Sequence, residues 1–183
     1  MTLAIILDVA AEYLRQRNKW TKDQCRVMPD GEPAGVSIGS QFFVGLDELS
    51  IRPGDYRNQL QLQETAGIEI FIWRKSGQFP KDRQGHLIDK DNQYLNLLMP
   101  SSIERNIIRQ IHGNMEIVTV ANQQAGTNTD NSGSGFSLPL KLLGKSKQVP
   151  TTLDAGGPAP IPYVLRRLQF GGMYRFQYSD NIA

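Results

Sequence analysis

The stretch LQLQETAGIEIFIWRK, from Leu60 to Lys75, shows the clearest structural pattern in the sequence. One side of its alternation carries three β-branched residues, Ile68, Ile70 and Ile72. The opposite side carries a carboxylate and two aromatic residues, Glu69, Phe71 and Trp73. Successive side chains of a β-strand point to opposite faces of a sheet, so this period of two predicts a strand. Because both faces carry large apolar groups, we expect a central strand that is covered on both sides.

The segments before this strand predict a helix and a second strand. Between Leu3 and Gln16 apolar residues recur at helical spacing, which predicts an amphipathic helix. Residues Gly35 to Leu46 are rich in apolar residues and are predicted to form a strand. A turn through Arg52 to Asp55 then leads into the central strand, so we expect the two strands to pair antiparallel.

Two further elements are predicted after residue 100. Ser101 and Glu104 fit a capping box, and isoleucines at helical spacing follow up to Gly113. A helix is therefore predicted from Ser102 to His112. Residues Asn114 to Ala121 alternate along a mainly apolar pattern, and we expect an interior strand there.

The carboxy-terminal part of the chain predicts short strands and loops. Phe136 to Leu143 is predicted as a short strand, and Gln148 to Pro162 as an irregular connector rich in proline and glycine. Tyr163 to Tyr178 is predicted as a hairpin that turns at Gly171 and Gly172. Together the elements predict an α+β fold, a mainly antiparallel sheet of five or six strands with two helices packed on it.

The length of 183 residues suits one substantial core, so we expect a single domain over residues 1–183. Two polar stretches, at about 74–93 and 123–162, are predicted as long loop insertions. For the first of them two interpretations stay open: it becomes ordered on binding a partner, or it is a mobile excursion. Cys25 is the single cysteine, which excludes an intramolecular disulfide and favours a reducing cytosol. The apolar run near the amino end is followed by acidic residues, which predicts neither a signal peptide nor a membrane span.

Charge is distributed unevenly along the chain, although the net charge is only +2. The segment from Asp47 to Glu69 has five acidic residues and two arginines, and that from Lys141 to Arg167 has five basic residues and one aspartate. Two interpretations stay open: solvated faces of opposite sign, or edges through which identical subunits meet head to tail.

No pattern in the sequence predicts catalysis, a metal site or a bound cofactor. The histidines, His86 and His112, have no cysteine or repeated acidic spacing that would complete a metal site. Asp89 to Asn92 resembles the start of a calcium loop, but its sixth and twelfth positions hold Tyr94 and Pro100. No nucleophile and base pair can be assigned, so we expect a protein that is not an enzyme.

Single-stranded nucleic-acid binding is an alternative that the central strand suggests. Phe71 and Trp73, with the basic residues Arg74 and Lys75 after them, could stack bases and contact phosphates. The other interpretation is that the two aromatic residues belong to the core.

The order of elements resembles that of the neck proteins of tailed bacteriophages, especially tail terminators and tail-completion proteins, which join head and tail. The resemblance covers the elements at Leu3 to Gln16, Glu69 to Trp73, Ser102 to His112, Met115 to Val120 and Leu168 to Tyr178. It is a likeness in the order of elements, because this group has no diagnostic short motif. The two long insertions depart from small terminators, so a connector ring nearer the head stays open.

The resemblance implies a homo-oligomeric ring, expected as a hexamer, that terminates the tail tube and joins the tail to the head. The implied partners are the tail tube, sheath or connector proteins, and genomic DNA that passes through the lumen without sequence-specific binding. The implied location is the virion neck, after assembly in the host cytoplasm, with no membrane. The hypothesised contacts with a partner or with DNA in the lumen are Arg74, Lys75, Lys81 and Arg83. The hypothesised subunit interface comprises Asp47, Glu48, Lys145, Lys147, Arg166 and Arg167.

Overall fold

A computed structural model of the chain describes residues 2–28, 42–49, 61–75, 103–126, 135–154 and 158–177. Within these ranges lie three helices, α1 (Thr2–Asn18), α2 (Ile103–Ile111) and α3 (Met115–Gln124). The strands are β1 (Cys25–Val27), β2 (Phe42–Leu49), β3 (Gln61–Lys75), β4 (Gly135–Phe136), β5 (Lys141–Lys145), β6 (Val149–Leu153) and β7 (Ile161–Gln177). The α+β class is confirmed, and the seven strands of the described ranges lie in one sheet.

The sheet is built around the pair β3 and β7. Its strand order is β1, β2, β3, β7, and the short strands β4, β5 and β6 all pair with β7. Among the described strands only the pairing of β1 with β2 is parallel, and the other pairings are antiparallel. The register of β3 with β7 runs from Gln61 opposite Gln177 to Lys75 opposite Tyr163. At about 3.3 Å per residue this ladder is about 50 Å long, and it forms the backbone of the sheet.

Both faces of β3 are covered, as its sequence predicts. Ile68, Ile70 and Ile72 are fully buried in the main core, which also contains buried residues of all three helices. Fully burying one such side chain contributes about 1.5–3 kcal/mol to stability. On the opposite face, Phe71 and Trp73 belong to a second, smaller core. The central position of β3 and its antiparallel pairing with β2 are therefore confirmed.

The segment Asn114 to Ala121 was predicted as a strand, and this prediction is wrong because the segment belongs to helix α3. Its buried residues have the spacing of one helical face: Ile117, Val118, Ala121 and Asn122. Asn114 is the N-cap, and its side chain accepts a hydrogen bond from the Glu116 backbone N–H at 2.9 Å. Because both faces of the segment are apolar, alternation alone did not distinguish a strand from a buried helix.

The predicted hairpin over Tyr163 to Tyr178 is also wrong, because β7 is one continuous strand. Gly171 and Gly172 stay in the strand and permit close contacts instead of a turn. Gly171 pairs with Gly67 of β3. A Cβ added at Gly67 would lie 2.1 Å from the Phe170 carbonyl oxygen. Two adjacent glycines therefore mark a close approach of backbones, which is the other common role of glycine in a strand.

The predicted insertion at 123–162 contains regular structure. Its first residues end α3, and its later residues form β4, β5 and β6 on the edge of β7. The expectation of an irregular connector from Gln148 to Pro162 is wrong for Val149–Leu153. Pro150 is compatible with that strand because, within the described residues, β6 pairs only with β7. Of the other insertion, Arg74 and Lys75 belong to β3, and residues 76–93 lie outside the described ranges.

A buried side-chain amide joins α3 to the sheet. Asn122 donates to the Phe136 carbonyl oxygen at 2.9 Å and accepts from the Phe136 N–H at 3.0 Å. The amide thereby occupies the place of a neighbouring strand on one side of β4, while β7 pairs with the other side. Buried backbone groups need such partners, since leaving one unpaired costs about 1–3 kcal/mol.

We expect Asn122→Ala to lower the free energy of unfolding by about 2–3 kcal/mol, because two buried backbone groups lose their partner. Urea denaturation followed by circular dichroism measures this change. Gln123→Ala is the matched control, since its exposed side chain follows directly in the same helix and its change should stay within about 0.5 kcal/mol. Equal effects of the two substitutions would contradict a role of Asn122 in holding β4.

Candidate functional site

The most organised polar group lies between α2 and the sheet. Glu104, in the first turn of α2, is completely buried and is the only buried acidic residue in the part of the chain that the structure describes. Arg166 of β7 donates through Nη2 to Glu104 Oε1 at 3.2 Å, and its Nε lies 3.2 Å from Oε2. Lys145 of β5 places Nζ 3.6 Å from Oε1. One carboxylate thus contacts cations from two strands.

Burial raises the pKa of the Glu104 carboxyl, because the charged form loses its hydration. The charges of Arg166 and Lys145 oppose this rise by stabilising the carboxylate. The position in the first turn of a helix also favours negative charge. The group therefore acts as an internal ion-pair network that holds α2 against β5 and β7.

The basic residues that were hypothesised as a subunit interface therefore fall into two groups, those that contact Glu104 and those that do not. The Arg166 side chain is only 13% exposed and faces Glu104 of its own chain. Lys145 shares that contact and remains 40% exposed. Arg167 points to the other face, where its guanidinium carbon lies 5.3 Å from the centre of the Phe71 ring. Lys147 follows β5 and is exposed.

The acidic residues of the hypothesised interface lie towards the opposite edge of the sheet. Asp47 is partly exposed and Glu48 is exposed, both on β2. The register of β1 with β2 ends at Leu46, so these residues lie beyond the end of β1. Two strands, β3 and β7, separate them from the basic residues of β5. The structure therefore separates the two groups across the width of the sheet.

The four residues hypothesised to contact a partner or DNA are placed unequally. The Arg74 side chain is only 2% exposed, so it is not available on the surface of the described chain. Lys75 is partly buried at the end of β3. Lys81 and Arg83 lie outside the described residues, and their role stays a prediction.

The aromatic residues that suggested a base-stacking surface are buried. Phe71 is 5% exposed and Trp73 is 7% exposed. Trp73 stacks on Phe43 with ring centres 5.6 Å apart, and Tyr163 packs edge-on against both rings. These contacts belong to the second core, which is the alternative interpretation of the same pattern. Bases cannot stack on rings that are already covered.

The histidine that the structure describes has a structural contact. His112 directly follows α2, and its Nδ1 accepts a hydrogen bond from the Leu142 backbone N–H at 3.0 Å. Among the described residues no group of three or more His, Cys, Asp or Glu side chains could hold a metal ion. His86 lies outside these residues. No helix in the part of the chain that the structure describes is long and apolar enough to cross a membrane.

Sequence reasoning missed a row of exposed apolar side chains on the same edge as the lysines. Leu138, Leu143 and Val149 are 46%, 54% and 49% exposed. All three lie on the chain that follows the outer side of β7 through β5 and β6. β5 and β6 have five residues each, and strands this short show too little alternation for the exposed apolar residues to be identified from sequence.

By its fold, the described part of the chain is an α+β domain in which helices cover one face of a mainly antiparallel sheet. No protein-family model matches the sequence, and no curated protein is significantly similar to it.

Proposed function

We propose that this chain is a structural protein of a phage virion neck, not an enzyme, and that it forms a homo-oligomeric ring. The ring terminates the tail tube and joins the tail to the head. The observation that carries this proposal is the opposite charge of two edges of one sheet, with Asp47 and Glu48 at one edge and Lys141 and Lys147 at the other. Contact between unlike edges of identical subunits is head to tail, and it forms a ring when the rotation between subunits closes.

The long ladder of β3 and β7 supports this role, because a ring requires a fixed angle between the two surfaces of each subunit. The two strands pair along the whole of β3. Helices cover one face of the sheet, and the second core occupies part of the other. Such a sheet holds its edges at a constant angle, and that angle sets the number of subunits, for which we propose six.

The proposed partners are the tail tube, sheath or connector proteins, and genomic DNA that passes through the lumen without sequence-specific binding. Lys75, Lys81 and Arg83 remain proposed contacts, and Arg74 is not proposed again because it is buried among the described residues. A connector ring nearer the head is the alternative within the same class. Single-stranded nucleic-acid binding is not favoured, since the burial of Phe71 and Trp73 removes the surface on which it depended.

Negative-stain imaging of the purified chain, alone and with tail tubes of the phage that encodes it, tests the proposal. We expect rings in solution, or additional density at one end of each tube. Complete tails are the matched control, because a tube end that already carries its terminator should gain no density. A chain that neither forms rings nor binds tube ends would overturn the proposal. Binding to single-stranded DNA that weakens steeply with salt would instead support the alternative function.

A further inference from the structure

We infer that the β5 and β6 edge of the sheet is a docking surface for the acidic end of β2 in a second copy of this chain. The inference rests on the ring proposed above and adds the residues of its contact. The docking surface comprises three apolar and two basic residues, Leu138, Lys141, Leu143, Lys147 and Val149. The opposing surface comprises Asp47 and Glu48.

The apolar part of the docking surface comes from three successive segments beside β7, with Leu138 before β5, Leu143 in β5 and Val149 in β6. β5 pairs with β7 from Gly171 to Leu168, and β6 continues from Leu165 to Ile161. Leu143 lies at the irregularity between Leu142 and Gly144, where the ladder shifts its register. A bulge of this kind redirects the side chain at the edge of a sheet. Single exposed apolar residues need no explanation, but three on one edge of a sheet, beside two exposed lysines, supply the apolar part of the contact that we infer.

The basic part of the docking surface is not neutralised within the described residues. Lys141 and Lys147 are exposed, and no ion pair to a described acidic residue satisfies either of them. Lys145 between them is already directed to Glu104. Two lysines beside apolar groups therefore favour an acidic partner with which they can pair at the rim of a contact.

The end of β2 has the complementary chemistry. Asp47 accepts a hydrogen bond from the Glu48 N–H at 2.8 Å, and neither carboxylate pairs with a described cation. Both residues lie where β1 no longer borders β2. A second copy is the occupant that this charge complementarity selects, since each chain carries both surfaces on opposite edges.

The contact is made by side chains and not by strand addition. The edge strands contain lysines, a register irregularity and Pro150, all of which hinder continuous pairing of two sheets. The two surfaces lie on opposite edges of the sheet, so one two-fold contact cannot join both at once, and the contact that we infer is head to tail.

Sedimentation velocity over a wide concentration range, with three charge-reversal variants, tests this inference. K141E/K147E removes the basic surface and D47K/E48K removes the acidic one, so each alone should weaken self-association by at least about tenfold. Mixing the two variants should restore assembly with the two chains in alternation, because each edge of one variant then meets an edge of opposite charge on the other. The chain that carries all four substitutions should assemble again. K19E/K22E is the control, since it reverses exposed lysines at the end of α1 and should leave assembly unchanged.

The outcomes separate this inference from the proposed function. If K141E/K147E and D47K/E48K each left the rings of the wild type intact, the inference would be overturned, while the ring itself would stand. A wild-type chain that remains monomeric at every concentration would overturn the inference, and the tube-binding experiment would then decide the proposed function alone. The circular dichroism spectrum of each variant must match that of the wild type. L143S/V149S keeps every charge but removes two apolar side chains of the docking surface, so it should also weaken assembly. Unchanged assembly of L143S/V149S would overturn the apolar part of the docking surface.

Discussion

Replacing Glu104 with alanine is expected to lower the free energy of unfolding by about 3 kcal/mol. The carboxylate is fully buried and contacts Arg166 at 3.2 Å, so its removal leaves a guanidinium that is only 13% exposed without its partner. Lys145 also loses its contact. Breaking a buried ion pair from one side costs more than the pair contributes, because the remaining charge cannot recover its hydration. Urea denaturation of the purified variant measures the change.

Glu116→Ala is the matched control for this substitution. Glu116 is likewise the second residue of a helix and lies near an arginine, Arg17, at 3.8 Å. Its side chain is 58% exposed, so the pair is screened by water and its loss should cost less than about 0.5 kcal/mol. A double substitution of Glu104 and Arg166 should cost about 1–2 kcal/mol less than the sum of the two single changes. Additive effects would contradict direct coupling between the two side chains.

The same carboxyl predicts a pH dependence. Because burial raises the pKa of Glu104 above its ordinary value of 4.5, the folded chain binds this proton more tightly than the unfolded chain. The stability from this difference is fully present below the unfolded pKa and is lost as the pH rises through the folded pKa. Glu104→Gln should remove the loss of stability that accompanies ionisation of this carboxyl. Urea denaturation at a series of pH values above 4.5 would detect the difference. An unchanged profile would contradict the raised pKa.

Gly67→Ala is expected to destabilise the chain by about 3 kcal/mol or more. Its Cβ would lie 2.1 Å from the Phe170 carbonyl oxygen and 3.1 Å from the Gly171 Cα. Both are backbone atoms of β7, so no side chain can move aside to admit the methyl group. The ladder of β3 and β7 would have to separate locally, and the apolar residues beside it would lose contact. Thermal unfolding followed by circular dichroism measures the loss.

Gly144→Ala serves as the control for Gly67. Gly144 also lies in a strand that pairs with β7, but its Cβ would meet only the end of the Gln169 side chain at 3.6 Å. That is an ordinary contact with a flexible group, so the change should stay within about 0.5 kcal/mol. Similar melting temperatures for the two alanine variants would show that the backbones of β3 and β7 are not in close contact at Gly67.

The local sequence pattern was sufficient to predict an element of secondary structure where only one periodicity fitted the segment. The alternation around Ile70 predicted a central strand, and the isoleucine spacing after Glu104 predicted helix α2, because each apolar stripe matches one regular structure. It was insufficient for α3, because the residues from Met115 to Val120 are largely apolar at both alternating sets of positions and so fit a strand as well as a helix. The candidate interface shows the same limit, since sequence identified Lys145 and Arg166 as basic but could not pair them with Glu104, which precedes Arg166 by 62 residues.

By itself, the sequence determined the α+β class, the strand at the centre of the sheet and the segregation of acidic and basic residues along the chain. Short-range periodicity and composition carry these properties, and they require no knowledge of distant contacts. Only the tertiary structure decided that β7 continues through Gly171 and Gly172, that β6 forms against it, and that α3 is a helix. These outcomes depend on what each segment packs against, because pairing with β3 and burial against the sheet outweigh weak local preferences.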